Sequence, residues 1–130
     1  MQENPKYIHS KRTWRRKFGD AFRGLYLSFC QQSSYRVHFF FTLTVPLFAW
    51  LLKLNKIEWC LLILLIAVVI AAEMFNTAIE TLSRAVSEQY DERIGRSLDI
   101  ASGAVLVVSI GSAVVGVLIF GEALLRLWNL

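Results

Sequence analysis

Apolar residues along this chain fall into three long blocks separated by charged segments. The first block is Val37–Leu52, sixteen residues without a full charge, although it contains His38 and Pro46. The second is Trp59–Ala72, fourteen residues whose one polar side chain is a cysteine, and the third is Ile100–Phe120, twenty-one uncharged residues. The third block has no polar stripe that could face water, so the pattern predicts helices that lie in lipid.

The lengths of these blocks predict three transmembrane helices. A span needs roughly 20 residues, and the third block reaches that length alone. The first block is long enough if Arg36 and Lys53 extend their charged ends into the two interfaces. The second block must continue past Glu73 to about Ser83, so that half of this helix carries polar groups inside the membrane.

Composition supports the same fold class. Hydrophobic residues make up 55% of the 130 residues, and the mean hydropathy is +0.47. Soluble domains average roughly 45–50% apolar residues even with glycine included. The alternative, a soluble bundle of very apolar helices, is disfavoured by the unbroken third block. We therefore expect an all-α integral membrane protein.

The chain before the first block predicts a helix that lies along the membrane surface. Aromatic and aliphatic residues recur there at three- and four-residue spacing, whereas the basic residues fall largely elsewhere on the helical wheel. This combination is typical of a segment that binds an anionic leaflet, or of an anchor without chemistry of its own. We expect a disordered basic tail over 1–13, an amphipathic interfacial helix over 14–34 and a three-span domain over 35–130. The apolar face of the helix consists of Phe18, Phe22, Leu25, Tyr26 and Phe29.

The distribution of basic residues predicts the orientation of the spans. Of the fourteen Lys and Arg residues, eleven lie before the first block or between the second and third blocks. The other three are Lys53, Lys56 and Arg126. Because cytoplasmic segments carry the excess of basic residues, we expect a cytoplasmic N-terminus and a C-terminus outside.

The polar continuation of the second span carries the candidate chemistry. Glu73, Asn76, Thr77 and Glu80 fall at positions i, i+3, i+4 and i+7, so they share one face of a helix. Each charge inside a span costs at least about 2.5–3.5 kcal/mol, so this face must meet a protein interior, a water-filled cavity or a cation. Two carboxylates with an amide between them suit a divalent metal site or a general base.

Two other interpretations of this face stay open from the pattern alone. One makes Glu80 a structural acid that pairs with Arg84 at i+4. The other places the carboxylates in a proton or cation pathway of a small transport or accessory subunit. The apolar stretch Trp59–Ala72 disfavours the pathway, because it offers no polar residues that would continue it toward the outside.

Features of the third span predict its start and its association with other helices. Asp99 is expected in the first turn of that helix, where the helix dipole favours an acid. The pairs Ser109-x-x-x-Ala113 and Ser112-x-x-x-Gly116 let helices approach closely. Since three helices do not enclose a polar face well by themselves, a homo-oligomer is predicted.

The motifs around these residues resemble those of the prokaryotic diacylglycerol kinase family. The resemblance covers roughly residues 18–120, and its most specific part is the Glu-x-x-Asn-Thr-Ala-Ile-Glu core of the second span. The Gram-positive branch of that family phosphorylates undecaprenol. The motifs that carry the resemblance are Ala21-Phe22-Arg23-Gly24-Leu25, Tyr35-Arg36-Val37-His38, Ile57-Glu58-Trp59, Glu73-x-x-Asn76-Thr77-Ala78-Ile79-Glu80 and Asp99-x-x-Ser102-Gly103-Ala104-Val105-Leu106.

This resemblance implies a homotrimeric lipid kinase of the bacterial cytoplasmic (inner) membrane. Its partners would be ATP, Mg²⁺ and a membrane lipid, with no nucleic acid, and its active site would lie at the cytoplasmic interface between subunits. Glu73 matches the catalytic base of the family, and Glu80 matches a carboxylate that holds magnesium. Asn76 matches a residue that orients substrate and nucleotide, and Asp99 matches the acid that opens the third span.

Three positions depart from the family pattern. Gln32 stands where a Glu often provides a second metal ligand, and a neutral amide binds magnesium less well. Arg84 stands where the family has Asp, and Leu98 replaces a Lys that contacts the ATP phosphates. A guanidinium can hold phosphate through two parallel hydrogen bonds, so Arg84 or Arg96 is expected to supply the missing cation. The alternative is a weakened member of the family.

The expected reaction is transfer of the ATP γ-phosphoryl group to the hydroxyl of a membrane lipid alcohol. Phosphoryl transfer requires mostly positioning and neutralisation of charge, which a small protein can provide. Diacylglycerol, which would give phosphatidic acid, is the first expected acceptor, and undecaprenol is the second.

Overall fold

The described part of the chain consists of four α-helices joined by short segments. The computed structural model describes residues 13–31, 34–87, 89 and 91–129. The helices are α1 (Trp14–Gln31), α2 (Ser34–Leu51), α3 (Lys56–Val86) and α4 (Glu92–Trp128). No strand occurs within these ranges, so the predicted all-α class is confirmed. Apart from Thr13, the predicted tail over 1–13 lies outside the described residues.

Helix α1 has the amphipathic pattern that the sequence predicts. Phe18, Phe22 and Tyr26 recur at four-residue spacing, and all three side chains are exposed. The Lys17 ammonium lies 4.7 Å from the centroid of the Trp14 ring, an attractive cation–π arrangement. The helix ends at Gln31, a few residues before the predicted boundary at residue 34.

The turn between α2 and α3 is defined by backbone hydrogen bonds and a capping box. The Leu54 amide donates to the Ala49 carbonyl at 3.1 Å, and Lys53 adopts a positive φ of 51° between them. Asn55 then caps α3, because its side chain accepts hydrogen bonds from the amides of Ile57 and Glu58. Together these bonds reverse the chain and start α3 at Lys56.

Helices α3 and α4 run antiparallel and pack along each other, with α2 packed against α3. The hydrophobic core is small and lies where the end of α2, the start of α3 and the end of α4 meet. It brings alanines from α2 and α4 against leucine and isoleucine side chains. Its buried members are Ala49, Leu54, Leu62, Ile119 and Ala123.

An ion pair joins the start of α3 to the end of α4 beside this core. Arg126 Nη2 donates to both carboxylate oxygens of Glu58, at 2.7 and 3.0 Å. The Asn55 amide donates to Glu58 Oε2 at 2.8 Å, which completes the capping box. The hydrogen bond from Arg126 holds the pKa of Glu58 below its usual value, and burial opposes this effect. Both side chains lie outside the apolar stretches 59–72 and 100–120.

Helix α4 begins earlier than its apolar block, which corrects the predicted position of Asp99. Asp91 caps the helix by accepting a hydrogen bond from the Arg93 amide at 2.7 Å, and the exposed Glu92–Arg96 pair supports the first turns. Asp99 therefore lies two turns inside α4, and the acid in the first turn is Glu92. The cap and this pair stabilise turns that the apolar block does not include. The three arginines between the second and third apolar blocks, Arg84, Arg93 and Arg96, therefore lie within helices α3 and α4.

The apolar surface of the described helices agrees with a membrane protein. By length and composition, α3 and α4 can cross a membrane, with hydropathies of 2.4 and 2.5 over their most apolar 18 residues. Only 17% and 6% of those residues are buried within the chain, so neither is a core helix of a soluble bundle. In α2, the described side chains form a shorter apolar stretch, Phe40–Leu51. The third span therefore stays a prediction.

Candidate functional site

The candidate site is the polar face of α3. Five residues of this helix are buried, and four of them are polar or charged. Three of those four, Glu73, Asn76 and Thr77, are adjacent on one face, with exposed fractions of 6%, 9% and 6%. Polar side chains with so little exposure are retained where they have partners or bind something. The structure thus brings together the residues that their spacing placed on one face.

The hydroxyl groups on this face are used within the helix. Thr77 Oγ1 donates to the Glu73 carbonyl at 2.9 Å, and Thr81 Oγ1 donates to the Thr77 carbonyl at 2.8 Å. Ser83 Oγ donates likewise to the Glu80 carbonyl at 2.7 Å. Because these hydroxyls bond to backbone carbonyls three or four residues back, the carboxylates and the amide are the better candidates for ligand contacts.

Asn76 lies between the two carboxylates in sequence and contacts one of them, Glu80. Its Nδ2 donates to Glu80 Oε1 at 3.1 Å, which orients that carboxylate along the helix. Its Oδ1 is buried and has no hydrogen-bond partner in the part of the chain that the structure describes. A buried acceptor without a donor costs about 1–3 kcal/mol. A donor from a substrate or from a second copy of the chain would satisfy it.

The distance between Glu73 and Glu80 along α3 and their different exposure favour different roles for the two carboxylates. Seven residues of α-helix span about 10 Å along the axis, too far for both carboxylates to hold one ion readily. Glu73 is the more buried of the two, whereas the Glu80 side chain is 30% exposed. Glu80 is thus the better metal ligand, and Glu73 is better suited to act on a group inside the protein.

Magnesium fits this donor set only together with other ligands. Among the described residues, no group of three or more His, Cys, Asp or Glu side chains forms a metal cluster. Mg²⁺ commonly binds one or two carboxylates together with substrate phosphates and water, which a single Glu80 can join. Gln32, the other expected ligand, lies outside the described residues.

The three remaining candidate residues have different surroundings. Arg84 is 82% exposed and lies 3.8 Å from Glu80, too long for a strong pair. Arg96 donates to Glu92 in the first turns of α4, where both side chains are 69% exposed. Asp99 is exposed on α4. Arg84 is therefore the cation at the same end of α3 as the carboxylates, and Arg96 is engaged by Glu92.

The ion pair between the buried Glu58 and the exposed Arg126 was missed by the sequence analysis. Two signals pointed to it: the Asn55-x-x-Glu58 capping pattern, and opposite charges at ends of two helices that antiparallel packing brings together. The pair lies about 23 Å along α3 from Glu73, fifteen residues away. It therefore belongs to the frame of the helix pair and not to the candidate site.

A family model and two known kinases are similar in sequence to this chain. The family model described as Prokaryotic diacylglycerol kinase matches residues 19–120. An undecaprenol kinase of Bacillus subtilis is 30% identical over 105 residues, which cover 81% of this chain and 85% of that protein. A diacylglycerol kinase of Synechocystis is 34% identical over 100 residues, which cover 76% of this chain and 57% of that protein.

The matched region contains the whole of α3, and with it the polar face, as well as α2 and the apolar block Ile100–Phe120 of α4. Both similar proteins are named as kinases that act on a lipid alcohol. The chain belongs to the prokaryotic diacylglycerol kinase family and is a lipid kinase.

Proposed function

We propose that the chain transfers the γ-phosphoryl group of Mg–ATP to the primary hydroxyl of a membrane lipid. The observation that carries this proposal is the polar face of α3, on which buried Glu73 and Asn76 adjoin the partly exposed Glu80, in a chain of the lipid kinase family. Diacylglycerol remains the first expected acceptor and undecaprenol the second. The undecaprenol kinase of Bacillus subtilis matches over 85% of its length, which gives the second acceptor specific support.

In the proposed mechanism, Glu73 takes the proton from the lipid hydroxyl as the new bond to phosphorus forms. The bond between the γ-phosphorus and the bridging oxygen breaks, and ADP leaves with that electron pair. Asn76 holds the Glu80 carboxylate and offers its Oδ1 as an acceptor to a substrate donor. Glu80 would hold Mg²⁺, which supplies neutralisation of the phosphate charge when bound. Arg84, and less directly Arg96 and Asp99, would contact the nucleotide.

The proposed setting is a homotrimer with three spans per chain in the bacterial cytoplasmic membrane. Helix α1 would lie on the cytoplasmic surface, because its exposed aromatic face and basic residues suit an anionic leaflet. The N-terminus would be cytoplasmic and the C-terminus outside. Association of copies is supported by the buried Asn76 Oδ1, which lacks a donor in the described part of its own chain.

The decisive experiment is a panel of lipid alcohols tested with labelled ATP and purified protein in mixed micelles. We expect transfer to diacylglycerol, to undecaprenol, or to both, and no transfer when Mg²⁺ is chelated. A Glu73→Gln variant is the matched negative control, because it keeps the shape of the side chain. Folded protein that phosphorylates none of these alcohols would overturn the proposal.

A further inference from the structure

We propose that the Glu58–Arg126 ion pair is a positioning contact for the proposed reaction. It fixes how far α4 lies along α3, and thereby where the residues of α4 stand relative to the carboxylates of α3. The inference rests on the proposed function, in which Arg96 and Asp99 of α4 contact the nucleotide. Arg126 lies beyond residues 19–120, the stretch that the family model matches.

The acceptor of this ion pair is held rigidly at the start of α3. Glu58 completes the capping box of that helix, and the Asn55 amide donates to its Oε2 at 2.8 Å. The Glu58 side chain is 10% exposed, so it has little room to follow a moving partner. Arg126 Nη2 donates to both oxygens of this carboxylate, at 2.7 and 3.0 Å. A slide of α4 by one turn, about 5.4 Å, would break both hydrogen bonds.

The apolar middle of the helix pair resists such a slide only weakly. The structure describes every residue of α3 between Leu62 and Glu73 and of α4 between Ala101 and Ile119, and none of them is buried. A cavity of about 450 Å³ between α2, α3 and α4 lies along this stretch. In lipid, apolar side chains gain no hydrophobic free energy by packing on another helix instead of on lipid tails. The polar pair at the start of α3 therefore defines the register better than the apolar middle does.

The two helices carry this register to the candidate site. Helix α3 is unbroken over Lys56–Val86 and contains neither Pro nor Gly, and α4 is unbroken over Glu92–Trp128 and contains no Pro. Because the rise per residue of a helix is fixed, a slide at one end is the same slide at the other. A pivot of about 5° at the ion pair would move α4 by about 2 Å at the level of Glu73, about 23 Å away.

The consequence of a shifted α4 differs between the two helices. Glu73, Asn76 and Glu80 share one helix, so their mutual geometry does not depend on α4. Arg96 and Asp99 would reach the nucleotide from the other helix. Misplacement by about 1 Å can cost on the order of a hundredfold even when the change is far from the chemistry. A shifted α4 should therefore weaken the binding of Mg–ATP and leave proton removal by Glu73 largely intact.

The first experiment separates positioning from stability by enzyme kinetics. Arg126→Ala removes the pair and Arg126→Lys keeps a cation at the same position. Lys56→Gln is the matched control, because Lys56 is an exposed cation at the same end of α3. Well below the thermal midpoint, we expect KM for Mg–ATP to rise on the order of tenfold in Arg126→Ala and to stay within about twofold of the wild type in Lys56→Gln. Arg126→Lys should recover at least part of the loss.

A pair that only stabilises the fold would give a different kinetic result. Arg126→Ala would then lower the amount of active protein, and with it the maximal rate, and would leave KM for Mg–ATP unchanged. That result would overturn the proposal. If Arg126→Ala does not stay folded, Arg126→Gln gives the same comparison, because it removes the charge and retains much of the side chain.

The second experiment measures the register directly and does not depend on turnover. Spin labels at Leu82 and Ile100, in a chain whose two cysteines are replaced by alanine, report the distance between α3 and α4 at the candidate site. Both positions are exposed. They lie at similar heights, twenty-four residues from Glu58 and twenty-six from Arg126, or about 36 and 39 Å of helix. Dilution of labelled chains into unlabelled ones restricts the measured distances to a single chain.

The distances and the activity together separate this inference from the proposed function. We expect one narrow distance distribution in the wild type and in Lys56→Gln, and a shifted or broadened distribution in Arg126→Ala. That shift, in a protein whose wild type phosphorylates no lipid alcohol, would support the positioning contact and overturn the proposed function. An unchanged distribution in Arg126→Ala, with an active wild-type kinase, would overturn the positioning contact and leave the proposed function standing.

Discussion

At the scale of single residues, the polar face of α3 divides into a buried end and a more exposed end. Glu73 is almost fully removed from solvent, whereas Glu80 is partly exposed and is oriented by the Asn76 amide. In the proposed function, the buried carboxylate would take the proton from the lipid hydroxyl, and the carboxylate nearer to solvent would hold the magnesium of the nucleotide.

Neutralisation of the two carboxylates should therefore change different kinetic constants. Glu73→Gln should lower kcat by at least a hundredfold, the usual scale for loss of a general base, and leave the affinity for Mg–ATP unchanged. Glu80→Gln should raise KM for Mg–ATP and be partly rescued by added magnesium. Steady-state kinetics at several magnesium concentrations distinguishes the effects of the two variants. Wild-type turnover in both variants would show that the carboxylates are structural.

Arg84 is the second prediction at this scale, because it is the arginine that shares α3 with Glu80. If it binds phosphate, Arg84→Ala removes a charge-assisted hydrogen bond worth about 1.5–3 kcal/mol, or roughly tenfold to a hundredfold in kcat/KM for ATP. Arg93→Ala is the matched control, because Arg93 is an exposed arginine on α4.

A double-mutant cycle of Arg84→Ala, Leu98→Lys and the combined variant resolves the role of Arg84. Rescue of Arg84→Ala by Leu98→Lys would show that either position can supply the cation. A silent Arg84→Ala together with a large gain from Leu98→Lys would contradict the assignment. In that case the wild-type chain would be a weakened kinase, and Arg84 would only extend toward anionic headgroups.

At the scale of elements, α3 and α4 are held together by contacts between the start of α3 and the end of α4. The small core and the Glu58–Arg126 pair join the start of α3 to the end of α4. Removal of one partner leaves the other charge partly buried and uncompensated, which costs more than the pair itself contributes. The same Glu58 carboxylate also completes the capping box of α3, so it stabilises two features at once.

We expect both Glu58→Gln and Arg126→Ala to lower the thermal midpoint, with Glu58→Gln having the larger effect because it also weakens the cap. The double variant should lose less stability than the sum of the losses in the two single variants.

The contribution of this pair should also depend on pH. Because the native pKa of Glu58 is lowered, the stabilisation is complete above its unfolded pKa and is lost as the pH falls through the native value. Thermal scans from neutral to acidic pH would measure this, with Glu92→Gln as control, because Glu92 is exposed at the opposite end of α4 from Arg126. Equal pH profiles for wild type and Glu58→Gln would contradict it.

At the scale of the whole molecule, the chain leaves most of its apolar surface uncovered. The apolar windows of α3 and α4 are mostly exposed, and the described part of the chain buries few hydrophobic side chains. In water such a surface would drive aggregation, whereas lipid and further copies of the chain cover it without penalty. In the proposed homotrimer, the polar face would then lie inside an apolar body and would bind its ligands in a low-dielectric environment.

The sequence by itself determined the helical class, the amphipathic character of α1 and the single polar face of α3. These follow from periodicity, because side chains three, four and seven residues apart must share a face in any helix. Family membership was also readable from Glu73, Asn76 and Glu80, since their spacing is local.

Only the tertiary structure decided where the helices begin and what joins them. Asp99 was placed in a first turn because hydropathy marks where lipid begins, whereas the cap at Asp91 marks where the helix begins. The Glu58–Arg126 pair joins residues 68 positions apart, and the cavity depends on three helices at once. Such contacts are set by how helices pack, and no pattern within a single helix contains that information.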